Sequence, residues 1–278
     1  MTVTKDASGR RSSQIEFEVP GTPEEIWQAI ATGPGISSWL MPAEFEMRDG
    51  KPVALKLDFG GGQGPASEVT AWDPPRMYAM KSECPAPGAP PVAAEWHVEA
   101  KAGGTCVIRL VHSLFTSTDE WDDQLEFLES GWGSFLRTLQ IYLKHFRGQR
   151  SVLTKWMVPV AGTEAEAWAM LTSKLGLQGV AAGQRWAAPA GVPQLSGVVE
   201  YTSQGPNDIL VRIDQPGPGV AAFGSVDMGG PSMVGMNVYF YGDASAANAA
   251  RETPLWQAWT KEHLPPPPEA SAGGEASN

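Results

Sequence analysis

The sequence has little of what marks several large functional classes. Its two cysteines, Cys84 and Cys106, fall in separate strand-like stretches without a Cys-x-x-Cys spacing, which argues against a thiol redox motif or a zinc site. None of the four histidines, His97, His112, His145 and His263, stands at a metal-ligand spacing, so no bound metal and no other cofactor is expected. No apolar run approaches the roughly 20 residues that cross a bilayer. The polar stretch Met1–Ser13 carries Lys5, Arg10 and Arg11 with no apolar segment behind them, unlike a secretory signal, so a cytoplasmic location is the expectation. Basic residues are scarce, 20 against 31 acidic ones, and the net charge of −11 opposes contact with phosphate backbones and anionic lipid surfaces. Nucleic acid is therefore excluded as an expected partner. A Gly-x-Ser-x-Gly elbow and a Cys–His pair are both missing. The glycine cluster Gly60-Gly61-Gly62-Gln63-Gly64 has no Lys-Ser or Lys-Thr after it and runs into a strand, so it reads as a hairpin loop rather than a phosphate cradle.

What is present is a repeat. Val-x-Gly-Thr-x-x-Glu-x-Trp occurs as Val19, Gly21, Thr22, Glu25 and Trp27, and again as Val160, Gly162, Thr163, Glu166 and Trp168. Each copy follows an alternating apolar run (Ile15, Phe17, Val19; Trp156, Val158, Val160) and opens a helix. Thr22 and Thr163 are N-caps whose hydroxyls accept the backbone N–H three positions on, while Glu25 and Glu166 reach back to the cap. Pro23 sits where a helix tolerates its missing donor. At 278 residues, 42% apolar and with 11 tryptophans, the chain is globular and long enough for two domains of roughly 100 to 200 residues each.

Along the chain, the pattern predicts a helix over 23–32, a Gly33-Pro34-Gly35 break, and a short helical segment holding Ile36, Trp39 and Leu40. Alternation then predicts strands at Phe45–Met47, Val53–Phe59, Glu68–Trp72, Arg76–Glu83, Ala94–Ala100 and Thr105–Phe115, joined by Asp-Gly, Pro-rich and Gly-Gly turns. Counting the opening strand, about seven strands make one antiparallel sheet. From Asp119 to Arg147 apolar residues recur every three or four positions, from Trp121 through Leu128, Trp132 and Phe135 to Phe146, the mark of a long amphipathic helix. The second half predicts a helix over 164–175, strands at 196–202, 209–214, 220–227 and 233–241, and a short closing helix over 254–263. The expected organisation is a domain over 14–150, a shorter second domain over 151–264 and a disordered tail over 265–278.

Strand, two helices, a long meander and a terminal helix form an α+β arrangement that resembles the helix-grip fold, an antiparallel sheet wrapped around its C-terminal helix. The sequence resembles the SRPBCC (START-like) superfamily and, within it, the branch named after activators of the heat-shock chaperone ATPase. The resemblance is carried by Val19-Pro20-Gly21-Thr22-Pro23-Glu24-Glu25-Ile26-Trp27, by Thr32-Gly33-Pro34-Gly35-Ile36 running to Trp39-Leu40, by Val111-His112-Ser113 and by Gly131-Trp132. It spans about Ile15 to Gln149 and is weaker over Ser151 to Leu264, where a tandem, degenerate second copy is read. It implies a cavity between sheet and C-terminal helix, in a superfamily whose members bind lipids, sterols, polyketides or hormones, some with catalysis and many without. Fold alone does not choose among these.

Trp39, Phe45, Leu55, Leu57, Tyr78, Met80, Leu110, His112, Leu128, Trp132 and Phe135 are expected to converge between sheet and helix, either as packed core or as the lining of a small-molecule site. His112 shares one strand face with Cys106, Ile108, Leu110 and Leu114; it is a core histidine held by one hydrogen bond, or a ligand-orienting group or general base. No second catalytic group stands beside it in sequence. Glu95, His97 and Glu99 share the opposite phase of their strand and read as a solvated outer face. Three functions follow. The first is binding of an apolar or aromatic small molecule without chemistry. The second is a polyketide cyclase- or aromatase-like enzyme using His112. The third is a protein-interaction module, with a homodimer or a chaperone ATPase as partner.

Overall fold

A computed structural model describes residues 4–5, 11–60, 66–83, 90–114, 122–203, 207–227, 230–264 and 266–267, the backbone alone for 4–5 and 122–131. The chain forms two units, one comprising Met1–Val152 with Tyr241–Asp243 and the other Leu153–Phe240 with Ala244–Asn278.

In the first unit, β1 (Thr4–Lys5) and β2 (Arg11–Pro20) lead into α1 (Pro23–Ile30). The expected capping box is present: the Glu25 N–H donates to Thr22 Oγ1 at 3.3 Å, and the Thr22 N–H donates to Glu25 Oε2 at 2.9 Å. The chain turns into this cap at Gly21, whose φ of +131° suits a residue without a Cβ. Arg147, just past the last helix of the unit, donates to the same Glu25 oxygen at 2.6 Å and to the Pro20 carbonyl at 3.1 Å. The Thr22 N–H and the Arg147 guanidinium hold the Glu25 carboxyl below its ordinary range.

The Gly33-Pro34-Gly35 stretch, expected as a break, is itself the first turn of α2 (Gly33–Ser37). Thr32 caps it, accepting the Gly35 N–H at 3.0 Å, and Pro34 fits the first turn. Gly35 is required by close approach: a Cβ there would lie 1.9 Å from the Gln28 carbonyl oxygen of α1.

The meander continues through β3 (Ala43–Arg48), β4 (Lys51–Leu57), β5 (Ser67–Asp73), β6 (Met77–Ser82), β7 (Val92–Lys101) and β8 (Thr105–Leu114), and ends in α3 (Asp122–His145). The sheet order is β1-β2-β8-β7-β6-β5-β4-β3, so the first long strand lies against the last. The seven expected strands are joined by β1, which two polar residues without apolar alternation did not announce. Phe59, expected as the last residue of its strand, lies beyond the end of β4 and is 59% exposed. α3 packs against β2 and β8 and buries Leu136, Leu139, Tyr142 and Leu143, which gives the gripped helix of the expected α+β fold. Residues 115–121, where the helical pattern was expected to begin at Asp119, lie outside the described residues, as do Cys84 and most of the glycine cluster.

In the second unit, β9 (Val152–Val160) enters α4 (Glu164–Leu175) through a second capping box, with Thr163 N–H to Glu166 Oε2 at 2.8 Å. It continues through β10 (Arg185–Ala187), β11 (Ser196–Thr202), β12 (Asp208–Gln215), β13 (Gly219–Val226) and β14 (Ser232–Phe240) to α5 (Ser245–His263). The sheet order β10-β11-β12-β13-β14-β9 again sets the first strand against the last and then runs back through the chain. This is the plan of the first unit with fewer strands. The closing helix begins at Ser245 rather than Pro254, which lies inside it. The alanine-rich run over 245–250 has high helix propensity, and burial of Ala249 and Glu252 adds packing, so the helix absorbs the N–H that Pro254 lacks. Pro266 and Pro267 apart, the stretch expected as a disordered tail lies outside the described residues.

Two substitutions test this account. Thr22→Ala removes one cap and is expected to cost about 1 kcal/mol in urea unfolding. Gly35→Ala forces α1 and α2 apart and is expected to cost more, about 3 kcal/mol, so the order of the two midpoints checks which constraint is stiffer.

Candidate functional site

Strand alternation and register decide which side chains meet over the sheet. His112 on β8 lies opposite Ser13 of β2 on one side and Ala94 of β7 on the other. One row along, Leu110 lies opposite Trp96, and Trp96 opposite Tyr78 of β6. Successive rows on one face hold side chains of the same orientation. Trp132 of α3 comes down on these rows, its ring 5.5 Å from Trp96, 5.8 Å from His112 and 6.2 Å from Phe135. The ring contacts continue from Trp96 to Tyr78, stacked at 6.1 Å, and from Tyr78 to Trp27, Trp72 and Phe45. The result is a continuous series of ring contacts between sheet and helix.

Of the residues expected there, Trp39, Leu55, Tyr78, Met80, Leu110 and His112 are buried, while Phe45, Leu57, Trp132 and Phe135 are half-buried and keep accessible surface. The structure joins Phe45, Tyr78, His112, Trp132 and Phe135 through ring contacts, with Trp39 attached through Trp96 at 6.2 Å. Leu55 and Leu57 sit at the β3 side of the sheet, opposite Ser67 and Ala43. The Leu128 side chain lies outside the described residues. Two of these residues are committed to the fold by their polar atoms: Trp39 Nε1 donates to the Ala29 carbonyl at 2.9 Å and the Tyr78 hydroxyl to the Ile30 carbonyl at 2.8 Å.

Sequence reasoning missed Ser13, Trp72 and Trp96. Trp96 carried a usable signal, since it has the opposite phase to the outward Glu95, His97 and Glu99. Ser13 belonged to a polar stretch, and only its register with β8 places it beside His112. The outer-face reading of the acidic cluster agrees with the structure, where Glu95 Oε2 and His97 Nε2 meet at 3.4 Å on partly exposed side chains. Among the described residues no group of three His, Cys, Asp or Glu side chains is placed to hold a metal.

Two polar atoms beside these rings, Ser13 Oγ and Trp96 Nε1, are buried and have no hydrogen-bond partner among the described residues. His112, opposite Ser13, is 3% exposed. Burial pushes its pKa from 6.5 down to about 4, so the imidazole is neutral near pH 7. A hydroxyl, an indole N–H and a neutral imidazole thus stand on an otherwise apolar face, offering both donors and an acceptor.

The depressed pKa fixes a sign. Between the folded value of about 4 and the ordinary 6.5, the unfolded chain binds a proton that the folded chain does not, so this contribution is complete above the upper value and is lost as pH falls. The stability difference between wild type and His112→Leu is expected to shift against the wild type by roughly 3 kcal/mol between about pH 7 and about pH 4 in urea unfolding.

Residues 10–139 match the model of a family described as polyketide cyclase / dehydrase and lipid transport. No curated protein matches the chain. Similar solved structures include CalU16 from Micromonospora echinospora, 18% identical over 51% of this chain and 83% of that chain, with a TM-score of 0.40. The di-domain ARO/CYC BexL from the BE-7585A biosynthetic pathway is 12% identical over 93% of this chain and 100% of that chain, with a TM-score of 0.44. The Aha1 dimer from Colwellia psychrerythraea is 21% identical over 49% of this chain and 98% of that chain, with a TM-score of 0.38. Most of the first unit therefore carries the sequence pattern of the polyketide cyclase / dehydrase and lipid transport family, an SRPBCC-type family, on a helix-grip arrangement of strands and helix.

Proposed function

We propose that the first unit binds an apolar or aromatic small molecule with a hydrogen-bonding oxygen or nitrogen, between the inner face of its sheet and α3. The observation that carries this reading is the unpartnered Trp96 N–H and Ser13 hydroxyl beside His112, within a lining made of rings. Leaving a buried donor or acceptor unpaired costs about 1–3 kcal/mol, and a ligand atom that pairs with it recovers that amount. The half-buried Phe45, Trp132 and Phe135 supply accessible ring surface around those atoms. An apolar pocket with a few placed polar groups is the usual form of a small-molecule site. The family description, which includes lipid transport, supports the same class of ligand.

A cyclase-like reaction is the second reading, supported by the other half of that description and by a neutral imidazole at the site. We rank it behind binding because a base with a pKa of about 4 has little driving force to take a proton at neutral pH. If a substrate is identified, unchanged turnover in His112→Ala would reject a catalytic role for that residue.

Native mass spectrometry of the purified chain is expected to show a retained small molecule, or uptake of the apolar probe N-phenyl-1-naphthylamine. Trp132→Ala is expected to weaken binding of that probe about tenfold, the order set by losing one aromatic contact and its buried area. A bare mass together with no probe binding would reject the reading.

A further inference from the structure

The closing helix of the second unit carries polar side chains on the face that it buries. Asn248, Glu252 and Trp256 follow at i, i+4 and i+8 on α5, so they form one stripe, and they are 4%, 3% and 1% exposed. One atom of each has no hydrogen-bond partner among the described residues: Asn248 Nδ2, Glu252 Oε2 and Trp256 Nε1. The Asn248 amide lies beside Gly217, between β12 and β13. Across from Trp256 on β9, Trp156 stacks on it at 6.1 Å, and its own Nε1 is buried and unpartnered among the described residues. Thr154, on the same face of β9, meets Thr253 of α5 hydroxyl to hydroxyl at 3.1 Å, so the two elements form a seam along this line.

The free atoms are held in place. Arg251 donates through Nε to Glu252 Oε1 at 3.0 Å and through Nη2 to Asn248 Oδ1 at 3.1 Å, which occupies one oxygen of each side chain and leaves the other polar atom unserved. At the far end of the seam, two strand positions beyond Trp156 and one helical turn beyond Trp256, a depression of ≈280 Å³ is lined by Val158, Pro159, Thr260, Lys261, Leu264 and Pro266. That size is just below that of ordinary ligand pockets, which run from about 300 Å³ upward. Trp259 adds a further ring wall, 5.5 Å from Trp256 and 6.4 Å from Trp156.

We propose that the β9–α5 seam of the second unit is a binding site for a small hydroxylated aromatic compound. The chemistry of the free atoms selects the class. A carboxylate oxygen needs a donor, and the indole N–H groups need an acceptor. A hydroxyl is both at once, whereas a carbonyl would leave Glu252 unserved and an ammonium would leave the indoles unserved. The aromatic body follows from walls made of Trp156, Trp256 and Trp259. This site is independent of the reading given for the first unit.

The test uses the full chain with 15N-labelled tryptophan and compares 2-naphthol with naphthalene, assigning the indole N–H resonances through Trp156→Phe and Trp256→Phe. 2-Naphthol is expected to shift both resonances, and to do so equally in Trp132→Ala, which alters only the first unit. Glu252→Met, which removes the acceptor at similar volume, is expected to weaken 2-naphthol at least tenfold and leave the weaker binding of naphthalene unchanged. If Glu252→Met does not fold, Trp256→Phe serves in its place, with a loss of at least fivefold expected. Resonances that do not move at saturating 2-naphthol would mean that water alone fills the seam. Equal affinity in the substituted chains, or shifts abolished by Trp132→Ala, would equally overturn the proposal.

Discussion

The pairing of β2 with β8 is the constraint on which the first unit depends. Ten residue pairs, from Arg11↔Leu114 to Pro20↔Thr105, set the first long strand against the last. A slip of one position would turn every inward side chain outward. This register brings Ser13 beside His112, puts Val19 over Cys106, and delivers the chain at Gly21 to the start of α1. It also gives α3 the strands that it packs on. The side chains that meet over this sheet therefore come from residues far apart in sequence, and strand register decides which of them are neighbours.

Much of this was legible because the signals are local. The capping box needs only Thr22 and Glu25, the amphipathic period of α3 runs uninterrupted through Trp132 and Leu139, and β8 alternates cleanly enough to aim His112 inward. What escaped depends on partners that sequence does not name. β1 exists because β2 offers it an edge. The early start of α5 reflects burial of Asn248 and Glu252 against a sheet, which outweighs a proline that reads locally as a helix start. Trp96 and Ser13 matter through what their polar atoms fail to meet, a property of the packed state alone.

The two units repeat a plan and differ in its content. Both have a strand, a Thr/Glu-capped helix, an antiparallel run folding back to that first strand, and a closing helix, which supports reading the chain as a duplicated fold. In the first, the closing helix brings Trp132 to an indole and an imidazole. In the second, α5 brings a carboxylate and an amide, and the indoles come from both strand and helix. A shared backbone thus presents two different sets of donors and acceptors, as expected when function resides in side chains placed on a common frame.

Helix α1 has no basic residue in its last turn to satisfy its terminal carbonyls. Trp39 and Tyr78 do that instead, through Ala29 and Ile30. These two rings are therefore structural fasteners as well as wall, and replacing either would uncap a helix as well as reshape the interior. Phe45, Leu57, Trp132 and Phe135, by contrast, have no polar atom tied to α1. Substitution at those four positions therefore leaves both ties to the end of α1 in place, whereas Trp39 and Tyr78 cannot change without releasing it.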